Sequence, residues 1–231
     1  MPNDAGASNF GGQKTWSFNQ GNYNSMLKKH PNSKGGICEA LAVSWISKGL
    51  QSGLQDALST GGDVDKTKVA VVAQRFASMY RFKFKDGTEG DPLKGFQMIK
   101  ESQKYLESQG FKHITHVGKA SKQKDKVGNP PLKEQFSIVF DGIEAEQCFT
   151  QQTQTIYSML RFSGAKWAHA TAFRIEPTAD KTTYYFDPNA GEFKFLKFAQ
   201  FRKWYENYHS SNRLYRTSAT IGFQLLAHND R

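Results

Sequence analysis

Apolar residues change their spacing partway along this chain, and that change limits the folds open to it. Ahead of the basic stretch Lys119–Lys126 they recur at helical intervals. Leu41, Trp45 and Ile46 follow Gly36 until Gly49 and Gly53 interrupt them. Val69, Val72, Phe76, Met79 and Tyr80 make one stripe over 65–80, and Leu93, Phe96, Ile99 and Leu106 another over 91–109, opened by Asp91-Pro92 and stopped by Gly110. Beyond the basic stretch, Phe136, Ile138 and Phe140 alternate with Ser137, Val139 and Asp141, which predicts a strand, and a helix is expected over 143–162. Segments 167–176, 182–186 and 192–198 are rich in β-branched and aromatic residues and read as strands. A short amphipathic helix over 198–208 and a last strand over 219–227 follow. Helices first and antiparallel strands second predict an α+β fold: a helical layer packed on a sheet, with a cleft where they meet.

At 231 residues the chain is long enough to bury roughly 70–75% of its unfolded surface without a disulfide scaffold. No apolar run approaches the ~18 residues of a membrane helix, so no membrane span is expected. Residues 1–14, with Gly6, Gly11 and Gly12 among polar neighbours, read as a flexible leader, leaving 15–231 as a single domain. The start, Met1-Pro2-Asn3-Asp4, has neither a basic nor an apolar region of the Sec type. Export would then need a machine that reads other signals. The net charge of +10 is spread along the chain, and its densest cluster, Lys119 to Lys126 before Gly128-Asn129-Pro130-Pro131, reads as a solvated loop rather than a nucleic-acid footprint.

Two cysteines are too few for a secreted disulfide framework, and no CxxC or Cys/His cluster marks a metal site, so no metal or cofactor is expected. Cys38 follows Gly35-Gly36-Ile37 and opens a helix. Unpaired backbone N–H groups and the positive end of the helix dipole favour a thiolate there, and the thiolate is the nucleophile. His169 lies mid-strand among small residues in Trp167-Ala168-His169-Ala170-Thr171. The next strand ends Phe186-Asp187-Pro188-Asn189, after a turn centred near 178.5, so opposed residues should have numbers summing to about 357. His169 and Asp187 sum to 356, which sets them facing each other within one residue of register. Asp187 would fix the imidazole tautomer and His169 would take the proton from Cys38.

These residues resemble the YopT-type cysteine proteases, bacterial effectors on a papain-like fold. The resemblance rests on Gly36-Ile37-Cys38 leading into an Ala/Leu-rich helix with Ser44-Trp45, on His169-Ala170-Thr171-Ala172, and on Phe186-Asp187-Pro188-Asn189-Ala190-Gly191-Glu192-Phe193. It covers about residues 30–200. What it implies is peptide-bond hydrolysis by a Cys38–His169–Asp187 triad through a thioester, acting on a protein substrate in a target cell after delivery by a specialised bacterial secretion system. An immunity protein or secretion chaperone would be in keeping with such a toxin. Papain-like enzymes also place an amide before the cysteine as an oxyanion donor; Asn32 is that candidate here, with Ser33 its rival. The family's best-known members cut near the polybasic tails of small GTPases, which suit an acidic cleft. A chain of +10 would need a local acidic patch, from Glu39, Glu192 or Asp141, to offer one.

Two alternatives share the sequence features. A papain-like deamidase, transglutaminase or acyltransferase would use the same thioester with a different second nucleophile. A basic, non-enzymatic binding module would leave Cys38 structural. Cys148 reads as a core thiol, and His113 and His116 as surface residues without a third ligand. His30 is near Cys38 in sequence but has no carboxylate presented to it. Trp167 reads as a shield or a core residue, and Trp204, Tyr205 and Tyr208 as core and surface aromatics.

Overall fold

The computed structural model describes residues 4–27, 37–49, 53–79, 81–83, 89–92, 96–115, 132–149, 154–164, 167–212, 215 and 220–228. Their first third holds strand β1 (Gly12–Trp16), the short helix α1 (Asn24–Leu27), the helix α2 (Cys38–Lys48), the short helix α3 (Gly53–Leu58), a ribbon of β2 (Ser59–Thr60) and β3 (Asp63–Val64), and helix α4 (Lys66–Met79). A second ribbon, β4 (Arg81–Lys83) with β5 (Glu89–Pro92), leads to α5 (Phe96–Ser108) and β6 (Phe111–Thr115). Helix α6 (Leu132–Phe149) precedes four consecutive strands, β7 (Ile156–Ser163), β8 (Ala168–Ile175), β9 (Thr183–Asp187) and β10 (Gly191–Phe195). Helix α7 (Phe198–Ser211) and β11 (Thr220–His228) complete the order.

Seven strands form one antiparallel sheet in the order β1-β10-β9-β8-β7-β11-β6. Helix α2 packs on β8, where the small side chains of Ala170 and Ala172 let it approach, and its Leu41, Trp45 and Ile46 join Tyr157, Met159 and Phe186 in one core. The opposite face of the sheet carries a second core, in which Phe136 and Phe140 of α6 and Phe201 and Trp204 of α7 meet Phe162, Phe173 and Tyr185. The sequence predicted one helical layer; the sheet in fact carries helices on both faces. Strand residues alternate between the two cores, Ala170 and Ala172 on one side and Phe173 and Ile175 on the other.

Two predicted elements exchange character. Residues 136–140 are helical, and the strand follows at 156–163. Phe136, Val139, Phe140 and Ile143 are buried at helical spacing while Ile138 is 49% exposed, so the apparent alternation is one side of a helix period. Ile156 to Leu160 are buried without a break because β7 is central and covered on both faces, and such a strand shows no alternation. Helix α5 starts at Phe96 rather than Asp91, because a residue before proline avoids the helical region and Asp91-Pro92 stay extended in β5.

The stretch read as a flexible leader is also structured in part. Gly6 and Gly11, at φ 72 and φ 73, are the turns that bracket a 3-10 helix at Ala7–Phe10. Ala7 is buried, the Trp204 indole donates to the Ala5 carbonyl at 3.1 Å, and β1 then pairs with β10. Its continuation crosses tightly over Gly191, whose φ of 107 favours glycine and where a Cβ would lie 2.1 Å from the Trp16 carbonyl oxygen. Neither backbone can yield there. Gly191→Ala should therefore cost about 3 kcal/mol, through strain and clash together, and lower Tm by about 10 °C in a thermal unfolding experiment.

Candidate active site

Helix α2 begins at Cys38, with Ile37 in the N-cap position and no side chain capping it. The Leu41 N–H closes the first turn onto the Ile37 carbonyl at 2.9 Å, and the amides ahead of it point toward the helix mouth, beside the half-buried, free thiol. Glu39, the acidic residue of that first turn, is buried and locked in place. Arg161 of β7 grips its carboxylate through both Nε, at 3.1 Å, and Nη2, at 2.7 Å. The Ser102 hydroxyl donates to it at 2.7 Å, and Arg161 Nη1 reaches Gln224 of β11 at 3.2 Å. A bidentate pair of this kind fixes orientation as well as distance, so the end of α2 that carries Cys38 is tied to α5, β7 and β11.

His169 stands near the start of β8 and Asp187 at the end of β9. The ladder between these strands pairs Ala172 with Phe186 and Ile175 with Thr183, so paired numbers sum to 358. His169 and Asp187 are thus diagonal rather than directly opposed, and the even sum keeps both on one face. The His169 Nε2–H donates to Asp187 Oδ1 at 2.9 Å, and the Cys38 side chain is near enough to add to the upward shift of the ring's pKa. With Nε2 taken by the carboxylate, Nδ1 is the nitrogen left to meet the sulfur.

The carboxylate of Asp187 has no exposed surface, and each oxygen accepts two hydrogen bonds. Oδ1 takes His169 and the Asn189 backbone N–H, the latter at 2.8 Å; Oδ2 takes the hydroxyls of Tyr208 at 3.0 Å and Tyr215 at 2.5 Å. Burial by itself would raise this carboxyl's pKa, but the His169 charge and these donors hold it down to about 2. Burial likewise opposes the charged imidazole, and the Asp187 carboxylate, with Cys38 behind it, overrides that and pushes His169 up to about 10. A second buried histidine shows the contrast. His209 faces no adjacent carboxylate partner of its own; burial drives it down to about 3, and it stays neutral, donating from Nδ1 to the Tyr205 carbonyl while the Tyr185 hydroxyl donates to its Nε2.

Cys38, His169 and Asp187 are thereby brought together. Asn32, Ser33 and His30 lie outside the described residues, as do His116 and the Lys119–Lys126 stretch. Cys148 falls in α6 and His113 in β6. Trp167 folds over Gly164 and stacks edge-on against Tyr215 with centroids 6.5 Å apart, while Tyr215 lies 5.6 Å from the His169 ring, so Trp167 is one ring removed from the imidazole. Trp204 and Tyr205 are core residues as expected, but Tyr208 is not merely that. Tyr208 and Tyr215 are site residues that the sequence did not single out: both donate to the Asp187 carboxylate. They reach Asp187 across 21 and 28 positions, and only the helical face that α7 turns toward the sheet would have pointed to Tyr208. Of the three carboxylates weighed as an acidic patch, Glu39 is held by Arg161, Glu192 accepts from the Trp45 indole at 2.6 Å and from Thr15, and Asp141 pairs with Arg202. Among the described residues no group of three or more His, Cys, Asp or Glu could hold a metal ion, and no helix is long and apolar enough to cross a membrane.

The ion pair makes stability depend on pH in a defined direction. The lowered Asp187 contributes stability above its unfolded value of 3.8 that disappears as pH falls through about 2. The raised His169 contributes stability below its unfolded value of 6.5 that disappears as pH rises through about 10. Urea unfolding of wild type and His169→Gln should differ most between those unfolded values and converge on either side. Tyr215→Phe removes one hydrogen bond to a buried charge, costs about 1.5–3 kcal/mol, and should move the acid loss to higher pH.

The profile of the peptidase C58 family, that of the Yersinia/Haemophilus virulence surface antigen, matches residues 4–226. The chain is similar to the cysteine protease YopT of Yersinia pestis, 26% identical over 223 residues covering 93% of this chain and 63% of that protein, and equally to YopT of Yersinia enterocolitica. It therefore spans less than two thirds of the length of these curated relatives. Among solved structures it is similar to the Pseudomonas avirulence protein AvrPphB, with a TM-score of 0.57 at 16% identity, covering 95% of this chain and 98% of that one. The fold is the α+β arrangement of the papain-like cysteine proteases. With nearly its whole length matched, the chain belongs to the peptidase C58 family.

Proposed function

We propose that this protein is a papain-like cysteine protease, with Cys38 as nucleophile, His169 as general base and then acid, and Asp187 as the group that orients and charges the imidazole. One observation carries the reading: a single buried ring is bonded through Nε2 to a sealed carboxylate and has beside it a sulfur at a helix N-terminus that helps hold it charged. A cysteine kept merely as a small core residue needs no such partner.

In this mechanism the thiolate of Cys38 attacks the scissile carbonyl carbon, and the carbonyl π electrons move onto oxygen. Amides at the mouth of α2 face the developing oxyanion, with Asn32 as the proposed side-chain donor. His169 gives its proton to the leaving amine as the C–N bond breaks, which leaves a thioester on Cys38. Water then loses a proton to His169 and attacks the thioester, and the expelled thiolate is again paired with an imidazolium. Asp187 stays ionised throughout. Its four hydrogen bonds hold the ring at the angle both transfers need.

The target is proposed to be a protein in another cell, reached as a translocated effector. The names of the family and of its Pseudomonas structural neighbour, virulence antigen and avirulence protein, support that reading.

Enrichment of new protein N-termini from cells expressing wild type, compared with cells expressing Cys38→Ser, tests the proposal. New termini should appear only with wild type, and His169→Ala should abolish them as Cys38→Ser does, turnover falling by about a thousandfold or more. Asp187→Asn should lower turnover by about a hundredfold or more, because a site without solvent access offers no water to take the carboxylate's place. Equal effects of wild type and Cys38→Ser would end the enzymatic reading. Mass shifts at Gln or Asn without new termini would transfer it to the deamidases.

A further inference from the structure

Gln20 is buried, 8% exposed, at the start of the 3-10 turn Gln20–Tyr23, and three of its hydrogen bonds go to segments that flank the site. Its backbone N–H donates to the Pro188 carbonyl at 2.7 Å. Its Nε2 donates to Asn189 Oδ1 at 2.9 Å, and its Oε1 accepts the Ile37 N–H at 3.1 Å. Ile37 is covalently joined to Cys38, and Asn189 donates its own N–H to Asp187 Oδ1, the oxygen that holds His169. The bonds run in a circuit around the site: Ile37 to Gln20, Gln20 to Asn189, Asn189 to Asp187 and Asp187 to His169, whose ring neighbours the Cys38 side chain that Ile37 precedes.

This circuit has a mechanical consequence. Cys38 and His169 belong to different elements, α2 starts without a side-chain cap, and the Gln20 amide holds the backbone just ahead of the sulfur through the Ile37 N–H. An Ile37 N–H facing Met or Leu instead would be a buried donor without a partner. The residue must also offer opposite groups on one carbon: Ile37 presents a donor and Asn189 an acceptor, which only an amide serves together. The Ile37 N–H fixes which way the amide lies.

We propose that Gln20 is a positioning residue for the Cys38–His169 pair, bracing the turn before the sulfur against the turn that follows Asp187. The proposal rests on the reading of those two residues as nucleophile and base. Displacing a reacting pair by about an ångström costs up to about a hundredfold in rate, so a brace at this point acts on reactivity more than on folding.

The test is alkylation of Cys38 by iodoacetamide, followed by peptide mass spectrometry that separates Cys38 from Cys148, across about pH 6 to about pH 9. Gln20→Met should react about tenfold more slowly than wild type near pH 6, with the gap closing toward pH 9, while circular dichroism shows a folded protein. Asn189→Ala breaks the same link and leaves the Ile37 N–H bonded, so it decides the matter if Gln20→Met does not fold. It should show the same slowing and the same pH dependence, and the double variant should be no slower than the slower single one. Wild-type reactivity in both variants, slowing that does not change with pH, or slowing that multiplies in the double variant would overturn the proposal. His169→Ala separates the two levels. If it reacts as fast as wild type, the nucleophile–base reading fails and takes this one with it; if it is slow while Gln20→Met and Asn189→Ala are not, the role of Gln20 alone falls.

Discussion

A carboxylate with no exposed surface and an imidazolium with almost none form an ion pair that the rest of this fold is arranged to tolerate. Taking two charges out of water is costly, and their attraction offsets that only when every remaining lone pair is also satisfied. Asp187 meets the condition with four donors, drawn from β8, its own turn, helix α7 and Tyr215 beyond it. The two helical layers therefore have different duties. Helix α2, on one face, delivers the sulfur; α7, on the other, delivers a hydroxyl to the carboxylate behind the ring. The sheet between them holds the histidine near the start of its central strand, β8.

Charge state in this interior follows from neighbours, not from burial alone. His169 and His209 are both buried, and burial disfavours the imidazolium in each. One has a carboxylate at hydrogen-bond distance and is held charged; the other has a carbonyl and a phenol and is held neutral. The neutral ring serves as packing, stacked on Tyr205 at 3.9 Å between centroids and 4.3 Å from Tyr215, a phenol that donates to Asp187. Of these two imidazoles only His169 is held charged.

The parts of this arrangement that were legible in the sequence are those with local causes. A glycine pair before Cys38 marks a helix start, and a turn centre with two strand patterns predicts that His169 and Asp187 share a neighbourhood. Even there the register came out two residues from direct opposition, since the count rests on where the turn is centred. What could not be read was set by contacts between distant segments. Tyr208, Tyr215 and Gln20 reach the site from separate elements, and no spacing rule connects a phenol to a carboxylate 28 positions away. The helix over 132–149 was hidden for another reason: Phe136, Ile138 and Phe140 satisfy a period of two, and only burial of Val139 and Ile143 selects the helical period. The turns and strand start within residues 4–14 left no signal, because glycine-rich composition looks the same whether the glycines loosen a chain or turn it.

Charge bears on what such a site can accept. The resemblance to YopT-type proteases raised polybasic substrates, and those need negative charge near the cleft. Each carboxylate considered for that purpose is engaged within the protein: Glu39 anchors α2, Glu192 joins β10 to Trp45 and Thr15, and Asp141 shares Arg202 with Glu144 and Glu206. Glu39, matched by Arg161, projects little field toward a ligand; Glu192, bonded to neutral donors, and the Asp141 cluster, with one arginine against three carboxylates, keep negative charge but are held in place by these bonds. Two of them also fasten the helix that carries Cys38, so freeing them to bind a basic peptide would loosen the helix that presents the sulfur. For Glu39 and Glu192, holding the geometry of the site and binding a basic ligand are competing demands, and in this chain, at a net charge of +10, the geometry has taken both.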